Sequence, residues 1–78
     1  MDLNKFKEDI ALQFLEEDQD KLTIDGNFRK MDTYDSLTGM SILAIINDEY
    51  GVNIPVEEYK QLNTIGDLFE YVKNKKPE

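Results

Sequence analysis

Three segments of this chain place apolar residues at spacings of three and four, which is the period of one face of an α-helix. The first carries Leu3, Phe6, Ile10 and Phe14 and predicts a helix over about residues 3–16. No segment alternates apolar and polar residues as a half-buried strand does. The spacing therefore predicts an all-α fold.

A second helix is predicted to begin at Asp35-Ser36 and to end before Gly51, a residue suited to the left-handed conformation that closes helices. Gly39, inside this helix, costs about 1 kcal/mol relative to alanine. The predicted inner side carries six apolar residues: Leu37, Met40, Leu43, Ala44, Ile46 and Tyr50.

Two further helices follow, a short one over about residues 56–61 and a last one that Thr64 and Asp67 cap. Residues 17–34 have no clean period and predict a long loop. Four apolar side chains are expected to pin that loop to the core: Leu22, Ile24, Phe28 and Met31. The expected architecture is a four-helix bundle with three longer helices and one short helix, in a single domain of residues 1–78.

Composition excludes several classes of function. The 78 residues include no cysteine and no histidine, so Ser-His and Cys-His catalysis cannot occur within the chain, and we expect no enzymatic activity. The net charge of −8, from 17 acids and 9 bases, repels phosphate backbones and argues against nucleic-acid binding. No apolar run is long enough for membrane insertion, and no signal peptide is recognisable, so we expect a cytoplasmic protein.

The acidic residues are concentrated in the middle of the chain, where six acids and no base lie between residues 32 and 58. One interpretation is a solvated surface, and the other is an acidic docking face for partners with basic patches. A calcium-binding loop is excluded, because setting Gly26 at the sixth position of such a loop places Lys21 at the first ligand position. We therefore predict no metal site.

The tripeptide Asp35-Ser36-Leu37 at the predicted helix start has two interpretations. In the simpler one, Asp35 or Ser36 is a helix cap and Leu37 begins the core face. In the other, the hydroxyl at a helix N-terminus, with free N–H groups nearby, is placed to carry a phosphate. The order and spacing of the motifs that follow favour the second interpretation.

With those motifs, the sequence resembles the acyl carrier protein family over essentially its whole length. The motifs that carry the resemblance are Phe28, Asp35-Ser36-Leu37, Asp48-Glu49-Tyr50-Gly51, Val52-Asn53-Ile54-Pro55 with Glu57 and Glu58, and Thr64-Ile65-Gly66-Asp67-Leu68. The resemblance implies that Ser36 carries a covalent 4′-phosphopantetheine arm. A phosphopantetheinyl transferase attaches that arm from coenzyme A with magnesium, and its thiol holds acyl groups as thioesters.

The family also implies partners and a docking face. Expected partners are an acyl-loading ligase or transferase and ketoacyl synthase or acyltransferase enzymes with basic patches, which a monomeric carrier serves in turn. The matching docking positions are Asp35, Leu37, Met40, Ser41, Asp48 and Glu49. Six residues are candidates for lining an acyl cavity, or else are ordinary core: Ile42, Leu43, Ile46, Ile54, Ile65 and Phe69.

The chain departs from the family pattern before the serine and along the second helix. Asp32 and Thr33 stand where a Leu-Gly pair is common, and Tyr34 stands where a smaller residue is usual. The second helix is neutral at Thr38, Gly39, Ser41 and Asn47, which favours a specialised acyl pathway over the main fatty-acid synthase. Two alternatives stay open: an aminoacyl carrier for a peptide-synthetase-like ligase, and an unmodified acidic interaction module.

Overall fold

The computed structural model describes residues 1–75, so the last three positions of the predicted 1–78 domain lie outside the described residues. Within residues 1–75 the chain forms five α-helices and one 3-10 turn, Phe28–Lys30. The helices are α1 (Leu3–Ala11), α2 (Glu16–Gln19), α3 (Ser36–Tyr50), α4 (Val56–Tyr59) and α5 (Ile65–Lys75). The predicted all-α fold is confirmed.

Helix α1 is shorter than predicted, because it ends at Ala11 instead of near residue 16. The N–H groups of Gln13 and Phe14 bond to carbonyls three residues back, which tightens the last turn and ends the helix. This turn buries Phe14 and leaves Leu12 and Leu15 exposed. The short helix α2, which the periodicity did not predict, follows at once.

The long loop before α3 is attached to the core as predicted. Leu22 and Phe28 are buried, and Ile24 and Met31 pack partly buried against the same core. An isolated antiparallel bridge joins Asn27 to Thr64 and fixes the loop beside the start of α5. The loop is therefore held in place although it contains little regular structure.

The core lies between the three longer helices, with α1 packed against both α3 and α5. Its fully buried side chains come from every long helix, and they include Phe6, Ile42, Ile46 and Leu68. Apolar burial of this kind contributes roughly 25 cal/mol per Å2 removed from water. In residues 1–75, no helix has both the length and the apolar character required to cross a bilayer.

The ends of the helices follow the sequence signals. Gly51 closes α3 with φ of 69°, the left-handed conformation predicted for it. At α5, the N–H of Asp67 donates to Thr64 Oγ1 at 2.9 Å, and the N–H of Thr64 donates to Asp67 Oδ2 at 3.3 Å. This reciprocal pair is the predicted capping box.

Candidate functional site

Ser36 is the first residue of α3, and its side chain is exposed. The residue before it, Asp35, caps the helix by accepting a hydrogen bond from the Thr38 N–H at 2.9 Å. The Thr38 hydroxyl lies 3.4 Å from the Asp35 N–H and accepts from it, which completes a capping box. The Ser36 hydroxyl is consequently not needed to cap the helix and faces solvent.

Asp35 keeps its charge beside this hydroxyl. The hydrogen bonds from the Thr38 N–H and then from the Thr38 hydroxyl hold the pKa of Asp35 below its usual value. At neutral pH an exposed carboxylate therefore stands directly before Ser36.

A second carboxylate fixes the loop that leads into α3. Asp18 is buried, and its Oδ2 accepts the N–H of Thr33 at 2.9 Å and also the Thr33 hydroxyl. These two hydrogen bonds hold the pKa of Asp18 below its usual value. The Thr38 hydroxyl shares its one proton between Asp35 Oδ1 at 3.0 Å and the Thr33 carbonyl at 3.3 Å. Helix α2 is thus connected by hydrogen bonds to the first turn of α3.

Ser36 borders an open groove of about 250 Å3 between α3 and α4, which we call the Ser36 groove. Its walls come from both helices and from the loop before α3. They comprise Arg29, Tyr34, Ser36, Gly39, Met40, Leu43, Val56, Tyr59 and Lys60. Met40 and Val56 are exposed apolar residues at this groove.

The floor of the groove is a tyrosine pair, Tyr34 and Tyr59, whose Oη atoms share a hydrogen bond at 3.0 Å. Both rings lie against Phe28, with centroids 5.8 and 6.2 Å away. Burial and then the Tyr34 hydroxyl raise the pKa of Tyr59, so its phenol stays protonated. Sequence reasoning did not predict this pair.

Arg29 attaches the pair to the surrounding chain. Its guanidinium carbon lies 4.5 Å from the centroid of the Tyr59 ring, and Nη1 donates to Tyr34 Oη at 3.2 Å. Nη2 donates to the carbonyls of Tyr59 and Leu62. The one sequence feature that pointed to the tyrosine pair was Gly39, since a glycine inside a helix often marks a place where another group packs closely against the helix.

The predicted docking residues are all exposed, but they do not share one face. Successive helix residues are about 100° apart, so Leu37, Met40, Ser41 and Asp48 point outward together. With Ala44 and Asn47, these four residues form what we call the outward face of α3. Leu37 and Met40 are 71% and 65% exposed there. The prediction that Leu37, Met40 and Ala44 lie on the inner side of this helix was wrong, because all three are exposed.

Two residues that were expected on the docking face of α3 do not lie on its outward face. Glu49 projects toward α1, where its Oε1 lies 3.8 Å from Lys5 Nζ. The prediction that Thr38 is a neutral residue of the docking face was wrong, because Thr38 is buried and belongs to the capping box. Gly39 is buried as well, so the neutral part of the outward face consists of Ser41, Ala44 and Asn47.

Of the six acyl-cavity candidates, Leu43 lines the Ser36 groove. Phe69 is partly buried and stacks edge-on against Phe6, with centroids 5.5 Å apart. The other four are buried in the core: Ile42, Ile46, Ile54 and Ile65. Their role in holding cargo stays a prediction.

A small acidic helical domain with a serine exposed at a helix start beside an open groove is the form of a carrier domain. The family model described as "Phosphopantetheine attachment site" matches residues 8–72. The chain is also 32% identical over 73 residues to the acyl carrier protein of Treponema denticola, covering 94% of each chain. The chain belongs to the acyl carrier protein family, as the motifs predicted.

The family determines the cofactor, which is covalently bound 4′-phosphopantetheine. Its members carry groups for other enzymes and are not catalysts themselves. The residues of this chain fit such an attachment, because Ser36 offers an exposed hydroxyl with open space beside it in the groove.

Proposed function

We propose that Ser36 carries the phosphopantetheine arm and that the chain presents acyl groups to partner enzymes. The observation that carries this proposal is the exposed Ser36 at the start of α3, whose cap is already supplied by Asp35. A modifying enzyme can therefore take the hydroxyl without removing a hydrogen bond that the helix needs. The arm supplies the thiol that holds the acyl group.

The rest of the chain holds this attachment point in place. Asp35 and Thr38 fix the first turn of α3, and Asp18 fixes the loop before it through Thr33. When the carrier docks on a partner, tethering through the arm raises the effective concentration of the cargo there. This is the contribution of a carrier that performs no chemistry of its own.

The proposed partners are a phosphopantetheinyl transferase, an acyl-loading ligase or transferase, and ketoacyl synthase or acyltransferase enzymes with basic patches. We propose that they meet a monomeric, cytoplasmic, single-domain carrier at Asp35 and the outward face of α3. That face is neutral at Ser41, Ala44 and Asn47 and carries Asp48 at its far end. This charge distribution supports service to a specialised acyl pathway rather than to the main fatty-acid synthase.

The test is incubation of the purified chain with coenzyme A, magnesium and a broad-specificity phosphopantetheinyl transferase, followed by intact-protein mass spectrometry. We expect a single gain of one phosphopantetheine. No gain under conditions that fully modify a known carrier would instead support an unmodified interaction module.

A further inference from the structure

The Ser36 groove decides where a group attached to Ser36 comes to lie. Such a group rests in the groove or passes through its floor toward the core beneath. Ile42 and Ile46, on the buried side of α3, are both 0% exposed. A long alkyl chain gains most from reaching such residues, since burial of apolar area is what stabilises it. The floor of the groove therefore bears on the class of acyl group that the carrier takes.

The floor is closed by the tyrosine pair. Tyr59 is buried, and its Oη is hydrogen-bonded to Tyr34 Oη across the groove at 3.0 Å. The pair lies directly against the backbone of α3, because a Cβ at Gly39 would stand 2.8 Å from Tyr34 Oη and 3.4 Å from Tyr59 Oη. Little space is left between the phenols and the helix.

Arg29 raises the free energy needed to separate the two tyrosines. It donates to Tyr34 Oη and to the carbonyls of Tyr59 and Leu62, and its guanidinium stacks on the Tyr59 ring. An alkyl chain that displaced either tyrosine would break hydrogen bonds among these part-buried groups. Buried polar groups left without partners are strongly unfavourable, so the closed floor is the stable state.

We propose that Tyr34, Tyr59 and Arg29 close the passage between α3 and α4, so that this carrier takes short acyl groups and holds them at the surface. The proposal rests on the attachment of the arm to Ser36. It makes Tyr34 a specificity-determining residue, and it assigns Ile42 and Ile46 to the core and not to an acyl cavity.

The experiment compares two cargoes on the intact chain. The transferase is supplied with acetyl-coenzyme A or octanoyl-coenzyme A, and each product is checked by mass before any further measurement. Methyl 1H-13C spectra then report on Ile42 and Ile46, and the melting temperature reports on the stabilisation that a buried chain gives.

In the wild type, we expect the acetyl and octanoyl forms to have matching Ile42 and Ile46 methyl positions. Their melting temperatures should agree within about 1 °C, because the octanoyl chain stays outside the core. Octanoyl-dependent movement of these methyl signals, with a higher melting temperature, would overturn the proposal. Failure to gain the acyl-arm mass would instead refute the attachment to Ser36, so the two failures are distinguishable.

Two variants test the tyrosine pair itself. Tyr34→Ala removes one of the two phenols that form the floor, and Tyr34→Leu keeps an apolar side chain against Phe28 while removing that phenol, should the alanine variant not fold. We expect octanoyl to shift the Ile42 and Ile46 methyl signals in the folded variant and to raise its melting temperature by several degrees. Tyr71→Ala, a matched loss of a half-buried tyrosine on α5, should behave as the wild type. A folded Tyr34 variant that still excludes octanoyl would show that the pair is not the closure.

Discussion

The buried carboxylate of Asp18 accepts the backbone N–H of Thr33 at 2.9 Å and connects helix α2 to the loop that precedes the serine. Since the Thr33 carbonyl accepts the Thr38 hydroxyl, the connection continues into the first turn of α3. One carboxylate thus adds a direct connection between α2 and the backbone segment that precedes Ser36.

Asp18→Asn should destabilise the fold by about 1–2 kcal/mol at pH 7, because hydrogen bonds to a charged group contribute about 1.5–3 kcal/mol and those to a neutral group about 0.5–1.5 kcal/mol. The asparagine can place its one amide oxygen where Asp18 Oδ2 accepts both Thr33 donors, but the negative charge is lost, and the NH2 group takes the place of Oδ1 beside Lys21 Nζ. Chemical denaturation gives the free energy of unfolding directly. Asp20→Asn removes the same charge at an exposed position and should change that free energy by less than about 0.5 kcal/mol.

The cost of Asp18→Asn should depend on pH. Because the pKa of Asp18 is lower in the folded state than its ordinary value of 3.8, the unfolded chain binds this proton first as pH falls. The stabilisation is fully present above about pH 5 and disappears as pH falls through 3.8 and below. The difference between wild type and Asp18→Asn should therefore shrink below about pH 4, and a difference unchanged down to pH 2 would contradict the assignment.

Gly39→Ala tests the close approach of the tyrosine pair to α3. Alanine gains about 1 kcal/mol in helix propensity. Its Cβ meets Tyr34 Oη, however, and overpacking of this kind costs about 1–3 kcal/mol. We expect net destabilisation in the wild type and a neutral or stabilising effect in a Tyr34→Phe background, where the contacted oxygen is gone. Equal effects in both backgrounds, measured as a double-mutant cycle, would exclude the contact.

The sequence predicted what depends on local pattern. The closure of α3 at Gly51 and the capping box of Thr64 and Asp67 follow from residue types at short spacing, and both are observed. The predicted end of α1, near residue 16, was wrong. Phe14 continues the helical spacing of apolar residues, although the helix ends at Ala11. Periodicity records which side chains are buried and not where the backbone changes direction.

The parts of the site that were missed depend on long-range contacts. Arg29 and Tyr59 are 30 residues apart, and Tyr50 reaches the buried Asp9 across 41 residues, with its Oη donating at 2.8 Å. No local pattern brings such residues together. The start of α3 at Ser36 was predictable because the cap residue and the helix that follows are adjacent in the sequence.

The neutral middle of the outward face should limit binding to enzymes that dock on acidic helices. Ser41→Glu with Asn47→Glu adds two charges there without touching the capping box. Exposed ion pairs contribute about 0.2–1 kcal/mol each, so binding to a general ketoacyl synthase should improve by about 2- to 30-fold. The gain should be larger at low salt. Competition assays at low and high salt measure this change in binding.

The matched control is Asn4→Glu with Asn74→Glu, which adds the same charge at exposed positions on α1 and α5. It should improve competition much less. If both pairs of substitutions act equally, overall charge and not the outward face governs docking.

Repulsion among the six acids of residues 32–58 should limit stability. Raising sodium chloride to about 0.5 M should therefore raise the melting temperature, because screening weakens repulsion between exposed charges. Asp48→Asn with Glu58→Gln should reduce the salt-dependent rise. A melting temperature indifferent to salt would show that the acidic stretch costs the fold little.

The central claim is that Ser36 is the residue that carries the arm. Treatment with coenzyme A and the transferase should add one phosphopantetheine to the wild type and to Ser41→Ala, which changes another exposed serine of the same helix, but none to Ser36→Ala. Ser36→Ala should remain folded, with a loss below about 0.5 kcal/mol, because Asp35 supplies the helix cap. Intact-protein mass spectrometry decides the question, and a Ser36→Ala chain that still gains the arm, or a wild type that never does, would contradict the account.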